Sequence, residues 1–288
     1  MKLVKAVAIF ILSALLFVGI YAVANLNGWM IKKSSPEEVA ALIEPHISVF
    51  KPQGDGPFPT ILMFHGCGGI KQQQVFWANI FQSWGYAAVY VDSYVGRGID
   101  RERALSQVCQ GKELIGGERA ADVLIAMAWT KQQPWADFDN LTLAGWSHGA
   151  WSIMDAFALE YDDKLPHSLN TAPDASLKDV DNLVLFYPYC GLGDQGSENG
   201  WKQTPSTIAI TVEHDSVVGD NVCEASFKTI ENNTAHFQHE VLANVDHAFD
   251  SPVALELAGF TDASPTQDDS TATIKARRLI RKFLVNAE

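Results

Sequence analysis

Basic residues are scarce in this chain: 21 lysines and arginines stand against 34 aspartates and glutamates among 288 residues, a formal net charge of -13 at pH 7. A surface of that sign repels polyanions, which excludes nucleic acid as a partner and disfavours anionic polymers as substrates. Lys2 and Lys5 are the only charges in the first 24 residues, so the remainder is more negative still. Repeats and low-complexity stretches are absent. With 47% hydrophobic and 10% aromatic residues the chain can bury a full core, and a single domain is the expected organisation. No pair of the 8 histidines sits at ligand spacing beside a cysteine or carboxylate cluster, so no metal site is expected.

What the N-terminus does have is a long apolar run. Lys2 and Lys5 precede an almost unbroken stretch over residues 6–24, and Ala22-Val23-Ala24 fits a small-residue cleavage site. A signal peptide is the plain reading. The run also approaches the ~20 residues that span a bilayer, so an uncleaved membrane anchor is the alternative. Either way the early lysines stay inside and the rest of the chain faces out of the cytoplasm. A buried first helix would need a partner for every face.

An apolar, β-prone run over residues 141–145 and a helix-forming run over 150–160 flank Gly145-Trp146-Ser147-His148-Gly149. A strand that reverses this sharply into a helix lifts a serine Oγ above the sheet edge and crowds any side chain two positions either side of it. The plainer reading is a strand-to-helix turn with a capping serine. The flanking elements and the residues downstream favour a nucleophile at Ser147.

A serine hydroxyl needs a base to take its proton, and that base needs a carboxylate to fix its tautomer. With this elbow the order along the chain is serine, acid, histidine. Residues 207–213 read as a buried strand whose end runs into His214-Asp215-Ser216, which makes Asp215 the candidate acid, with Glu213 and Asp246 as alternatives. A further strand at 236–242 leads into the loop 244–250, which carries His247, the candidate base. His214 is a rival, although adjacent residues at a strand end point apart. His46, His167, His236 and His239 lie in ordinary strand or loop text. The strand at 59–64 precedes His65-Gly66-Cys67-Gly68-Gly69. The backbone N–H of His148 and that of Gly66 or Cys67 are the candidate oxyanion donors, each worth roughly 3 to 4 kcal/mol in the transition state.

Taken together, His65-Gly66-Cys67-Gly68-Gly69, the 92–98 segment from Asp92 to Gly98, the elbow, and Asp246-His247-Ala248-Phe249-Asp250 give a chain that resembles the dienelactone hydrolase family of α/β-hydrolases, over roughly residues 46–286. The helical Glu118-Arg119-Ala120-Ala121-Asp122 adds a fifth segment. The resemblance implies an α/β-hydrolase fold, with a mostly parallel central sheet and helices on both faces. It also implies a nucleophile/Asp/His triad, a small-molecule ester or lactone as substrate, and no cofactor. The founding members carry cysteine where Ser147 stands and glycine where Val212 stands, so the reaction type carries over and the named substrate does not. The resulting organisation is a signal peptide or anchor at 1–24, a linker or short helix at 25–45, and the hydrolase domain at 46–288.

In an exported chain the 4 cysteines suggest two disulfides, although the sequence permits three pairings. Cys67 with Cys109 would brace the oxyanion loop, and Cys190 with Cys223 would tie the loop after the strand at 183–187 to a helix beyond Asp215. Helices are expected over 75–84, stopped by Gly85, over 118–130, and over 272–286 with a basic solvated face. Arg119 and Asp122, at i and i+3, read as a structural pair. Trp146 and Trp151 read as core, with Trp146 able to line a pocket. The polar stretch from 98 to 117 overhangs the site, and the irregular segments 161–181 and 190–207 are candidate lids. Two other functions share these features. One is a peptidase or amidase of the prolyl-oligopeptidase type, disfavoured because no propeller-length domain precedes the hydrolase part. The other is a catalytically silent envelope binding module.

Overall fold

Short runs rich in Val, Ile, Leu and Phe with apolar residues on both faces become strands buried on both sides. The computed structural model describes residues 2–70, 72–196, 200–233, 236–250 and 267–286. Residues 197–199, within the second irregular segment, and 251–266, within the expected hydrolase domain, lie outside them.

Helix α1 (Lys2–Leu26) comes first, followed by α2 (Pro36–Ile43). The start of α2 has a capping box, with Ser35 and Glu38 bonding reciprocally and Pro36 opening the first turn. Strands β1 (Ile47–Phe50) and β2 (Phe58–Phe64) precede helix α3 (Gln72–Ser83) and strand β3 (Ala87–Val91). The short helix α4 (Arg101–Arg103) continues into a wide π turn at Ala104–Val108. Next come α5 (Gly116–Lys131), β4 (Ala136–Trp146), α6 (His148–Tyr161), β5 (Asn182–Phe186) and β6 (Ser206–Val212). Helix α7 (Glu224–Asn233), β7 (Phe237–Leu242) and α8 (Gln267–Asn286) complete the chain.

The strands form one seven-stranded sheet in the order β1-β3-β2-β4-β5-β6-β7. Only the pairing of β1 with β3 is antiparallel. Alternate residues feed two cores. Leu62 and Phe64 of β2 face the core built with α2, α5 and α6, while Ile61 and Met63 face Trp77 and Phe81 of α3 and Ile280 of α8. The sheet is thus covered on both faces, as a parallel sheet requires. The C-terminal ends of β2, β4, β5, β6 and β7 then lie at one edge, where ligands of such sheets bind.

Strand β4 begins earlier than its apolar half. Ala136 and Asp137 pair with Phe58 and Pro59 before a register shift carries Thr60 onto Leu141, so a polar stretch without apolar alternation still enters the sheet. A second difference concerns α5. Asp122 holds Arg97 through two hydrogen bonds of 2.6 and 3.0 Å, and Arg119 turns instead toward the loop after β2, so the expected Arg119–Asp122 pair is corrected to Arg97–Asp122.

Along α1 the side chains from residue 9 to residue 21 are all exposed. Among the described residues no helix is long and apolar enough to cross a membrane.

Candidate active site

The strand-to-helix turn at residues 145–149 forces Ser147 to φ 52° and ψ -113°, outside the regions L-residues favour. Both flanking glycines are steric necessities. A Cβ on Gly145 would fall 2.5 Å from the Ala150 nitrogen, and one on Gly149 would collide with the Phe64 carbonyl. The Ser147 N–H donates to the Phe186 carbonyl at 2.8 Å, which ties the turn to β5.

Three side chains from distant parts of the chain meet there. The Ser147 Oγ lies 3.0 Å from His247 Nε2, and His247 Nδ1 lies 2.8 Å from Asp215 Oδ2. All are sheltered, with 8% exposure for the His247 side chain and 6% for that of Asp215. The other Asp215 oxygen accepts from the Val217 and Val218 backbones at 3.0 and 2.9 Å, leaving Oδ2 aimed at the imidazole. Asp246 has a different position: it accepts from the Ser216 and His247 backbones and links the two loops. His214 is exposed and faces Asp220, whose hydrogen bond raises its pKa, and so it lies away from Ser147.

Gly66 packs against the serine, a Cβ there falling 3.6 Å from that of Ser147, and Cys67 lines the cleft on both sides of it. Beneath this loop lies fully buried Arg119, which donates to the His65 carbonyl at 2.7 Å and to Ser93 Oγ at 2.9 Å, and contacts His148 Nδ1 at 3.1 Å. Burial first, and Arg119 second, hold the pKa of both His65 and His148 well below the ordinary value, so both rings are neutral. His65 then donates from Nδ1 to the Gly66 carbonyl at 2.8 Å and accepts the Ser93 N–H at Nε2. Arg119 was legible only as half of a helical ion pair; nothing local marks it as a prop under this loop.

Asp250, which stands in the sequence only as the end of a motif, is fully buried. Its carboxyl oxygens accept from Trp77 Nε1 (2.7 Å), Trp146 Nε1 (3.0 Å), Gln73 Nε2 (2.5 Å) and the Tyr187 hydroxyl (2.6 Å). It thereby ties the loop carrying His247 to α3, to β4 and to Tyr187, which follows β5. The Tyr187 ring lies 4.6 Å from the His247 imidazole.

The cysteines form Cys67–Cys109 and Cys190–Cys223, the pairs expected from the sequence. The first fastens the 98–117 stretch over the cleft, where Val108, Cys109 and Gln110 line the space beside Ser147. Of the two candidate lids, 190–207 reaches this cleft through Leu192, whereas 161–181 contributes none of the residues lining it. Trp146 is both core and cleft wall, stacked on Phe186 at 4.7 Å. A larger groove of about 730 Å³ between β6, β7 and α7 includes Asp215 but neither Ser147 nor His247.

No protein-family model and no curated protein matches the sequence. Solved structures do. A Klebsiella pneumoniae protein assigned as a dienelactone hydrolase superposes with a TM-score of 0.59 at 13% identity, over 83% of this chain and 92% of that one. Esterase Est2 of Thermogutta terrifontis with propionate bound gives 0.57 at 15% identity, over 83% and 88%. The same esterase phosphorylated by paraoxon gives 0.55 at 17% identity, again over 83% and 88%. The architecture is that of the α/β-hydrolase fold.

Proposed function

We propose that this protein is a serine hydrolase that cleaves a small carboxylic ester or lactone through an acyl-enzyme. The observation that carries the proposal is the unbroken chain of short contacts from Ser147 Oγ through His247 to Asp215, at 3.0 and 2.8 Å, on a sheltered edge of the sheet. In this reading Ser147 attacks the carbonyl, His247 takes its proton and delivers it to the leaving group, and Asp215 holds the imidazole in the required tautomer. The backbone N–H of His148 and that of Gly66 or Cys67 stabilise the oxyanion, and Arg119 supports the loop that carries Gly66 and Cys67. Water then releases the acyl group. The ester bond, rather than another acyl linkage, is favoured by the fold neighbours named as esterases and by the paraoxon adduct of one of them.

The test is active-site labelling with a fluorophosphonate followed by p-nitrophenyl acetate turnover. Ser147 is expected to be labelled, and Ser147→Ala and His247→Ala are each expected to lower kcat/KM by about 10³-fold or more. His214→Ala should keep the rate within about twofold. A protein that stays unlabelled would be a binding module on the same fold, and one that is labelled yet cleaves amides and spares esters would be an amidase.

The compartment proposed is extracytoplasmic, with residues 6–24 acting as an export signal or as the attachment to the membrane. Two disulfides support it, because such bonds persist in oxidising compartments.

A further inference from the structure

The cleft at Ser147 has two lobes, and the Cys67–Cys109 disulfide with Gln110 and Val217 forms the ridge between them. One lobe, about 320 Å³, is walled by Val108, Ile115, Trp151, Tyr189 and Leu192. The other, about 420 Å³, holds His247, the glycine-rich backbone at 66–69, and the amide side chains of Gln73 and Gln74. Among the described residues the only ionisable rings or chains on either wall, apart from tyrosine and the disulfide, are His148 and His247.

Resting on the hydrolase reading above, we infer that the substrate is an uncharged ester whose apolar acyl group occupies the Trp151–Leu192 lobe and whose alcohol occupies the His247–Leu105 lobe. The proton inventory assigns the sides. As the Ser147 Oγ–carbonyl bond forms, the serine proton passes to His247 Nε2; as the bond from carbonyl carbon to alkoxy oxygen breaks, that proton goes to the departing alcohol. The alcohol must therefore lie within reach of the imidazole, and His247 lines only the second lobe. Water enters by the same side and bonds to the acyl carbon as its proton passes to His247; the acyl–Ser147 Oγ bond then breaks, His247 returns the proton to Oγ, and the acid leaves from the other lobe. Wall chemistry agrees with the acyl side of this orientation: the aliphatic and aromatic groups of the first lobe favour an apolar acyl chain. A carboxylate in either lobe would lose its hydration without gaining a described cation.

Two exposed leucines allow the lobes to be tested separately without disturbing the core. Leu192, 77% exposed, lines only the first lobe, and Leu105, 46% exposed, lines only the second. Leu192→Trp should lower kcat/KM for p-nitrophenyl hexanoate relative to acetate by about tenfold and slow deacylation of the hexanoyl-enzyme in single turnovers. Leu105→Trp should leave the hexanoate-to-acetate preference unchanged while altering the ranking of acetate esters of different alcohols. A succinate half-ester should react at least about tenfold more slowly than its methyl-capped isostere. The opposite assignment of the two variants, no change of acyl preference in Leu192→Trp, or equal rates for the charged and capped esters would overturn the inference while fluorophosphonate labelling of Ser147 still stood. Failure of that labelling would remove both readings.

Discussion

Asp250 holds more of the site together than any other side chain outside it. Four neutral donors from three elements converge on its two oxygens, and its neighbour three positions earlier is His247. Replacing it by asparagine puts an amide N–H where an oxygen accepted two bonds, so at least two buried donors lose their partner. The expected cost is about 2 to 6 kcal/mol of stability at 1 to 3 kcal/mol per orphaned group. Because the loop that positions the imidazole loosens, Asp250→Asn should lower kcat. Denaturant unfolding and steady-state kinetics check both. A rise in KM at constant kcat would place the effect on substrate binding instead. Ser147, Tyr187 and Ala248 all have positive φ, at 52°, 32° and 58°. They are three of the seven described non-glycine residues with positive φ, and such strain persists where surrounding structure over-determines the chain.

Among the elements, the loop after β2 and the stretch from 98 to 117 act as a pair, because Cys67–Cys109 joins them across a separation of 42 residues. Closing a loop of that length removes about 4 kcal/mol of unfolded-state entropy in the chain model, and the Cys190–Cys223 bridge is of similar size. Cys109→Ser with Cys67→Ser should therefore lower the Tm by several degrees and, by freeing the glycine-rich loop, reduce ester turnover by at least about tenfold. Calorimetry and turnover of the double variant test this; an unchanged rate would mean that Arg119 and Tyr94, which hold the His65 and Cys67 carbonyls, suffice to fix the loop. The same elements mark the limits of sequence reading. Strands such as β2 and β5 were legible because both faces are buried and their text is apolar. The first half of β4 was not, since a polar stretch enters the sheet only through its neighbour β2. The π turn at Ala104–Val108 has no local signature, and Arg97, not Arg119, reaches Asp122 because the packing of α5 against the sheet turns Arg119 inward.

For the whole molecule, the apolar N-terminal run and the two disulfides support the extracytoplasmic proposal. Carbonate extraction of membranes from expressing cells separates the two forms: an anchored protein stays with the pellet, and a processed one is soluble with a new N-terminus near residue 25. Recovery of unprocessed protein in the cytosol, with its cysteines reduced, would overturn the extracytoplasmic proposal. The sequence by itself determined the strand-helix alternation, the elbow glycines, and which serine, histidine and acid were candidates, because each depends on local periodicity or on a backbone position that admits no Cβ. Tertiary structure alone decided that residues 147 and 247, one hundred positions apart, lie within hydrogen-bonding distance, that Asp250 clamps the loop between them, and that a disulfide divides the cleft in two. Those contacts arise from helices packing on both faces of one sheet, an arrangement in which no short window of sequence contains both partners.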